Sequence, residues 1–274
     1  MRREPSSSAG SDVATIYAVV NQKGGVGKTT TSVNLAAALA QAGSHVLLID
    51  LDPQGNATMG SGVDKRTVKR TVYHVLLGLG ELASSRVRVE KGAYDLVPSN
   101  RELAGAEVEL VDLEARETRL KNALAPVLGE YDFILIDCPP SLSLLTVNAL
   151  TAAQRILIPM QCEYYALEGL SDLVGTIKRV RAHLNPQLEI AGLLRTMYDP
   201  RNTLSQQVSQ QLEAHFGEKV YRTMVPRNVR LAEAPSHGVQ AVLLDATSKG
   251  AQAYKGLADE ILAQHARTQG EKTA

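Results

Sequence analysis

The sequence predicts an α/β fold: one domain built on a mostly parallel, twisted sheet with helices on both faces. Three observations carry this. Short apolar runs recur along the chain, and each is followed by a stretch with helical spacing. The runs are continuously apolar rather than alternating, as strands covered on both faces are. The chain has 274 residues, 44% hydrophobic and 21% charged. That is enough for one large α/β domain or two small ones. No internal repeat or interior linker divides it.

Taken in order, residues 15–20 (TIYAVV) read as the first strand. A glycine-rich loop follows, and residues 28–42 (KTTTSVNLAAALAQA) read as a helix stopped by Gly43. Residues 45–50 (HVLLID) read as the second strand, with later strands at 94–97, 132–137 (DFILID), 155–160 (RILIPM) and 190–197 (IAGLLRTM). Helical patterns occupy 101–111, 114–128, 142–153, 166–184 and 203–216, and a terminal helix spans 247–266. The crossovers between parallel strands are expected to be right-handed. The domain spans 13–267. Residues 1–12 (MRREPSSSAGSD) lack the apolar centre of a secretory signal and read as a disordered tail. Residues 268–274 read as a polar tail.

Composition excludes several classes. Aromatic residues make up 4% and Trp is absent, which argues against a carbohydrate- or base-stacking surface. The two cysteines, Cys138 and Cys162, cannot form a disulfide framework and suit a reducing, intracellular setting. No run of 18 apolar residues marks a membrane span. Net charge is zero but unevenly spread: residues 178–255 carry eleven Lys and Arg against six Asp and Glu. On charge alone this is a set of solvated faces; a basic surface for an anionic partner such as DNA is the sharper reading.

The loop Asn21–Thr30, NQKGGVGKTT, lies between a buried strand and a helix start. Gly24, Gly25 and Gly27 let the backbone turn sharply and approach an anion without Cβ clashes. Amides around Val26 and at the helix N-terminus then face phosphates. Lys28 reaches the β- and γ-phosphates, the Thr29 hydroxyl suits Mg²⁺, and Thr30 adds a contact to the α-phosphate. The loop fits the P-loop nucleoside triphosphatase fold, but a phosphate loop alone does not make an NTPase. One departure stands out: the usual G-x-x-x-x-G-K-[ST] pattern needs a glycine at Gln22, and an extra lysine, Lys23, follows it. Two acidic positions complete the site. Asp137, ending a strand in the context DCPP, suits a Mg²⁺ ligand or a cap of the next helix. In DLDPQGN, Asp52 is expected exposed beside the γ-phosphate, where it can orient the attacking water. Asp50 is a supporting metal residue or a structural one, and Gly55 and Asn56 suit a loop that rearranges with the nucleotide.

KGGVGKTT, DLDPQGN, DCPP, QCEYYALEGL (161–170) and VPRNVRLAEAPSHG (225–238) together resemble the ParA/Soj group of partitioning ATPases. The group sits within the deviant Walker A class that also includes MinD, and the resemblance runs from about residue 15 to about 262. It implies an ATPase using ATP and Mg²⁺. It implies that ATP drives a face-to-face homodimer in which Lys23 enters the partner's site as a catalytic and nucleotide-contacting residue. Asp52 matches the carboxylate needed for hydrolysis. Pro226 and Asn228 match the segment that frames adenine, and Glu163 matches a contact across the dimer. Arg201 and Arg230 match positions implicated in non-specific double-stranded DNA binding, with Arg222, Lys249 and Lys255 as weaker candidates. The resemblance further implies a ParB-type partner, a cytoplasmic, nucleoid-associated location and no stable membrane association. Two other classes fit the residues less well. A MinD-like membrane regulator needs a basic amphipathic C-terminal helix, whereas this chain ends LADEILAQHARTQGEKTA. An iron–sulfur ATPase needs two suitably placed cysteines, whereas Cys138 and Cys162 read as small buried side chains.

Overall fold

The computed structural model describes residues 13–273, with side chains through Gln269; the expected N-terminal tail, 1–12, lies outside the described residues. The strands are β1 (Thr15–Val19), β2 (Val46–Asp50), β3 (Val87–Val89), β4 (Tyr94–Val97), β5 (Phe133–Asp137), β6 (Arg155–Gln161), β7 (Glu189–Tyr198) and β8 (Val220–Pro226). They form one sheet in the order β3-β4-β2-β5-β1-β6-β7-β8. All pairings are parallel except that of the edge strand β3 with β4. The helices are α1 (Lys28–Gln41), α2 (Asn56–Gly60), α3 (Val72–Leu77), α4 (Leu103–Glu109), α5 (Arg119–Leu124) and α6 (Leu144–Ala152). They continue with α7 (Ala166–His183), α8 (Thr203–Phe216), α9 (Val229–Glu233), α10 (Ala241–Leu244) and α11 (Lys249–Thr273).

Side-chain alternation along the central strands builds two cores. Ile16, Ala18, Leu47, Ile49, Ile134 and Ile136 face one layer with α3 to α8. Tyr17, Val19, Leu48, Phe133 and Leu135 face the other, with Leu35 of α1, Ala57 of α2, Val242 of α10 and Leu257 of α11. Each fully buried Leu or Ile contributes about 1.5–3 kcal/mol of transfer free energy, so the central strands are fixed by burial on both sides.

Several elements differ from expectation. The stretch 114–128 becomes a shorter helix because Ala115 takes a left-handed φ of 53° and Pro126 turns the end into a 3₁₀ segment, Ala125–Glu130. Residues 268–273, expected as a polar tail, continue α11. Strands β3 and β8 and the short helices α2, α3, α9 and α10 are additional to those expected.

The order places β1 between β5 and β6, with Val19 level with Asp137 on one side and Leu157 on the other. Chain order diverges here, and ligands of open α/β sheets bind outside the carboxyl ends of the strands at such a point.

Candidate active site

The loop after β1 emerges at that divergence. Gly27 caps α1 in a left-handed conformation, φ 87°, which a side chain would strain. Its missing Cβ lies 3.7 Å from the Thr196 side chain. No side chain caps the N-terminus of α1, so its first amides are left for an anion. The loop is held from behind. Thr196 Oγ1 donates to Val26 O at 2.8 Å, and Gln161 Nε2 donates to Gly25 O at 3.1 Å.

Lys28 is 7% exposed, and its Nζ donates to Lys23 O at 3.0 Å. Burial pushes its ammonium below the ordinary lysine range, and the nearby Asp137 carboxylate opposes this. A phosphate oxygen can replace the loop carbonyl as its acceptor.

Three carboxylates gather beside it. Asp50 and Asp137 are register partners at the ends of β2 and β5, and both are fully buried. Asp137 Oδ2 accepts from Thr29 Oγ1, and its Oδ1 from Ser32 Oγ, each at 2.8 Å. Burial, and then the Asp50 charge, push the Asp137 carboxyl up to about 7. Asp50 Oδ2 accepts from Thr58 N and Thr58 Oγ1, both at 2.7 Å, and burial pushes it up to about 6. Two adjacent buried carboxylates are costly unless a cation joins them. The Thr29 hydroxyl and Asp137 form a small oxygen set of the kind Mg²⁺ takes from protein, the rest coming from water and phosphate. Asp137 does not cap the next helix; α6 starts at Leu144 with Ser143 as its N-cap.

Asp52, expected exposed, is 8% exposed. The DLDPQGN turn folds inward because its backbone is tied to Ser99, whose Oγ donates to Asp52 O at 2.8 Å. The carboxylate itself accepts from Gln54 N at 2.8 Å through Oδ1.

Lys23 is half exposed, and its ammonium forms an ion pair with Glu163 in the turn after β6. Pro226 ends β8. Asn228 caps α9, its Oδ1 accepting from Arg230 N at 3.0 Å. A cavity of about 240 Å³ opens between Thr29 and Thr30 of α1, Asn56 and Met59 of α2, and Leu231 and Pro235. A larger apolar cavity, about 440 Å³, lies between α3 and α5 and shares no lining residue with it. Arg201 and Arg230 lie on exposed segments, each already paired. Asp199 takes the Arg201 guanidinium at 3.0 and 2.9 Å, while Glu233 and Asp245 take that of Arg230 at 3.0 and 3.2 Å. Cys138 and Cys162 are both buried and unpaired with each other.

The structure adds Ser32, Thr58, Ser99, Gln161 and Thr196 to the residues singled out from sequence. Ser32 had a signal: it lies four residues after Lys28, on the same helix face. Thr58 lies in α2, directly after the DLDPQGN segment, while Ser99, Gln161 and Thr196 are brought in by β4, β6 and β7.

A family model described as "AAA domain" matches residues 14–190. The sporulation initiation inhibitor protein Soj of Bacillus subtilis (strain 168) is 53% identical over 248 residues, covering 90% of this chain and 98% of the relative. The chromosome partitioning protein ParA of Caulobacter vibrioides (strain NA1000 / CB15N) is 50% identical over 251 residues, covering 91% and 94%. Among solved structures, one described as cobyrinic acid a,c-diamide synthase from Mycobacterium smegmatis, with bound ADP and magnesium, matches with a TM-score of 0.80. It is 40% identical and covers 91% of this chain and 94% of that one.

Proposed function

The chain belongs to the ParA/Soj family of chromosome-partitioning ATPases, and from that premise we propose that it is a DNA-segregation ATPase switched by its nucleotide. ATP and Mg²⁺ are its cofactors, as the ADP- and magnesium-bound neighbour supports. The observation that carries the reading is the gathering of Lys28, Thr29, Asp137 and Asp52 at the carboxyl end of the sheet, next to a second lysine bound to Glu163.

Each residue then has a task. Lys28 exchanges its loop carbonyl for phosphate oxygens, beside the open amides of α1. Gly24, Gly25, Val26 and Gly27 bring the backbone close, and Thr30 adds a hydroxyl. Thr29 and Asp137 hold Mg²⁺, which when bound offsets charge on the phosphates. Asp52 orients the attacking water. Pro226 and Asn228 frame the base. In a face-to-face homodimer Lys23 of each copy leaves Glu163 and offsets transition-state charge in the other copy's site.

The dimer presents two copies of Arg201 and Arg230 to the phosphates of double-stranded DNA without reading sequence. Hydrolysis, accelerated by a ParB-type partner, releases it, so the protein works in the cytoplasm on the nucleoid. No helix among the described residues is long and apolar enough to cross a membrane. The apolar residues Tyr254, Leu257, Ala258 and Ile261 of α11 are buried in the core, which supports a packing helix over a lipid-binding one. The test is Asp52→Ala: with ATP it should accumulate as a DNA-bound dimer. A monomer that ignores DNA refutes the reading.

A further inference from the structure

We propose that Ser99, in the turn after β4, is a positioning residue for hydrolysis. It fixes the backbone of the DLDPQGN turn so that the Asp52 carboxylate faces the attacking water. The inference rests on the reading of Asp52 given above and extends it to a residue outside every motif that carries the family resemblance.

The turn converges on Ser99, which is fully buried. The Ser99 hydroxyl donates to Asp52 O at 2.8 Å. Its amide donates to Thr58 Oγ1 at 2.9 Å. The same Thr58 hydroxyl donates onward to Asp50 Oδ2 at 2.7 Å. The Ser99 carbonyl oxygen stands 2.8 Å from where a Cβ on Gly55 would lie. Asp50, Asp52, Gly55 and Thr58 are thus all referenced to one serine.

The serine itself is carried by the sheet. β4 pairs with β2 in parallel, Leu47 level with Asp95 and Ile49 with Val97. The ends of the two strands therefore lie side by side, and Ser99 reaches the turn from a fixed base.

The Asp52 carboxylate is held less tightly than its backbone. Oδ1 accepts from Gln54 N, and among the described residues no donor bonds Oδ2. That oxygen is the one left for a water. Its aim is set by the backbone behind it, hence by Ser99. Removing the Ser99 hydroxyl leaves the Asp52 carbonyl without its partner and frees the turn to shift. A shift of about 1 Å in a reacting group can cost on the order of a hundredfold in rate.

The experiment compares Ser99→Ala, Ser99→Thr, Asp52→Ala and the double variant, all as full chains with ATP and Mg²⁺. Ser99→Ala should lower kcat by about tenfold or more, with KM and ATP-dependent DNA binding within about twofold of the parent. Ser99→Thr, which keeps the hydroxyl, should recover most of the turnover. Adding Ser99→Ala to Asp52→Ala should change turnover by less than about twofold, because the two act as a unit. Parental turnover in Ser99→Ala, with Asp52→Ala inert, overturns the positioning role and leaves the Asp52 reading standing. Parental turnover in Asp52→Ala overturns that reading itself. Parallel loss of nucleotide binding and turnover in both Ser99 variants overturns the proposal in favour of a purely structural serine.

Discussion

Lys23 and Lys28 lie five residues apart and are held in different ways. Lys28 is buried and bonded to the carbonyl of Lys23, whereas the Lys23 ammonium is half exposed and paired with Glu163. An exposed ion pair of this kind contributes about 0–1 kcal/mol, so a phosphate on a second chain can displace Glu163. Lys23→Ala is therefore expected to keep ATP binding while losing ATP-driven dimerisation and at least about tenfold of stimulated turnover; equilibrium nucleotide binding and sedimentation check this. Gly55 is the second sensitive residue. It holds a φ of 61°, and a Cβ would meet the Ser99 carbonyl at 2.8 Å. Gly55→Ala should cost about 1–3 kcal/mol in denaturant unfolding and reduce hydrolysis more than ATP binding. The glycine was legible in DLDPQGN as part of a moving loop. The wall it packs against was not, because Ser99 lies 44 positions later and arrives through the pairing of β4 with β2.

At the scale of elements, sequence located best the strands that burial determines. Residues 94–97 and 203–216 match β4 and α8 at both ends, and β1, β2 and β5 match to within one residue. β1, β2 and β5 are buried almost throughout because both faces are covered. β8 was missed. It has exposed positions at Arg222 and Met224 and two register shifts against β7, so its pattern is neither continuous nor strictly alternating. The same strand carries the PRN segment and lies next to the Arg201 turn. Arg201 was legible as a basic residue. Its partner was not recognised, although Asp199 is only two positions away and takes the guanidinium through both oxygens. Asp199→Asn should strengthen ATP-dependent DNA binding, because the freed guanidinium can go to phosphate. Arg201→Ala should weaken it and flatten the salt dependence by about 0.9 in log–log slope for each DNA phosphate that is no longer neutralised. Fluorescence anisotropy on duplex DNA across a salt series reads both. Unchanged affinity and slope in the two variants would remove Arg201 from the DNA-binding surface.

Across the whole molecule, the sheet is what turns scattered motifs into one site. β1 delivers the phosphate loop, β2 delivers Asp50 and Asp52, and β5 delivers Asp137 in register with Asp50. Strands β6 and β7 brace the loop from behind through Gln161 and Thr196. The α/β class and the meeting of the loop, DLDPQGN and DCPP motifs at one end of the sheet were legible because each motif directly follows a buried strand. The bracing was not, since hydrogen bonds between distant strand ends leave no local pattern. In the proposed function two chains close on ATP and bind DNA only in that state. The most direct measurement is binding to duplexes of unrelated sequence with ADP, ATP and a slowly hydrolysed analogue, at two salt concentrations, with the molar mass of the bound species recorded. A dimer is expected that binds both duplexes alike with ATP or the analogue, weakens steeply at the higher salt, and fails to bind with ADP. Equal binding with ADP and ATP, or binding by a monomer, would contradict it.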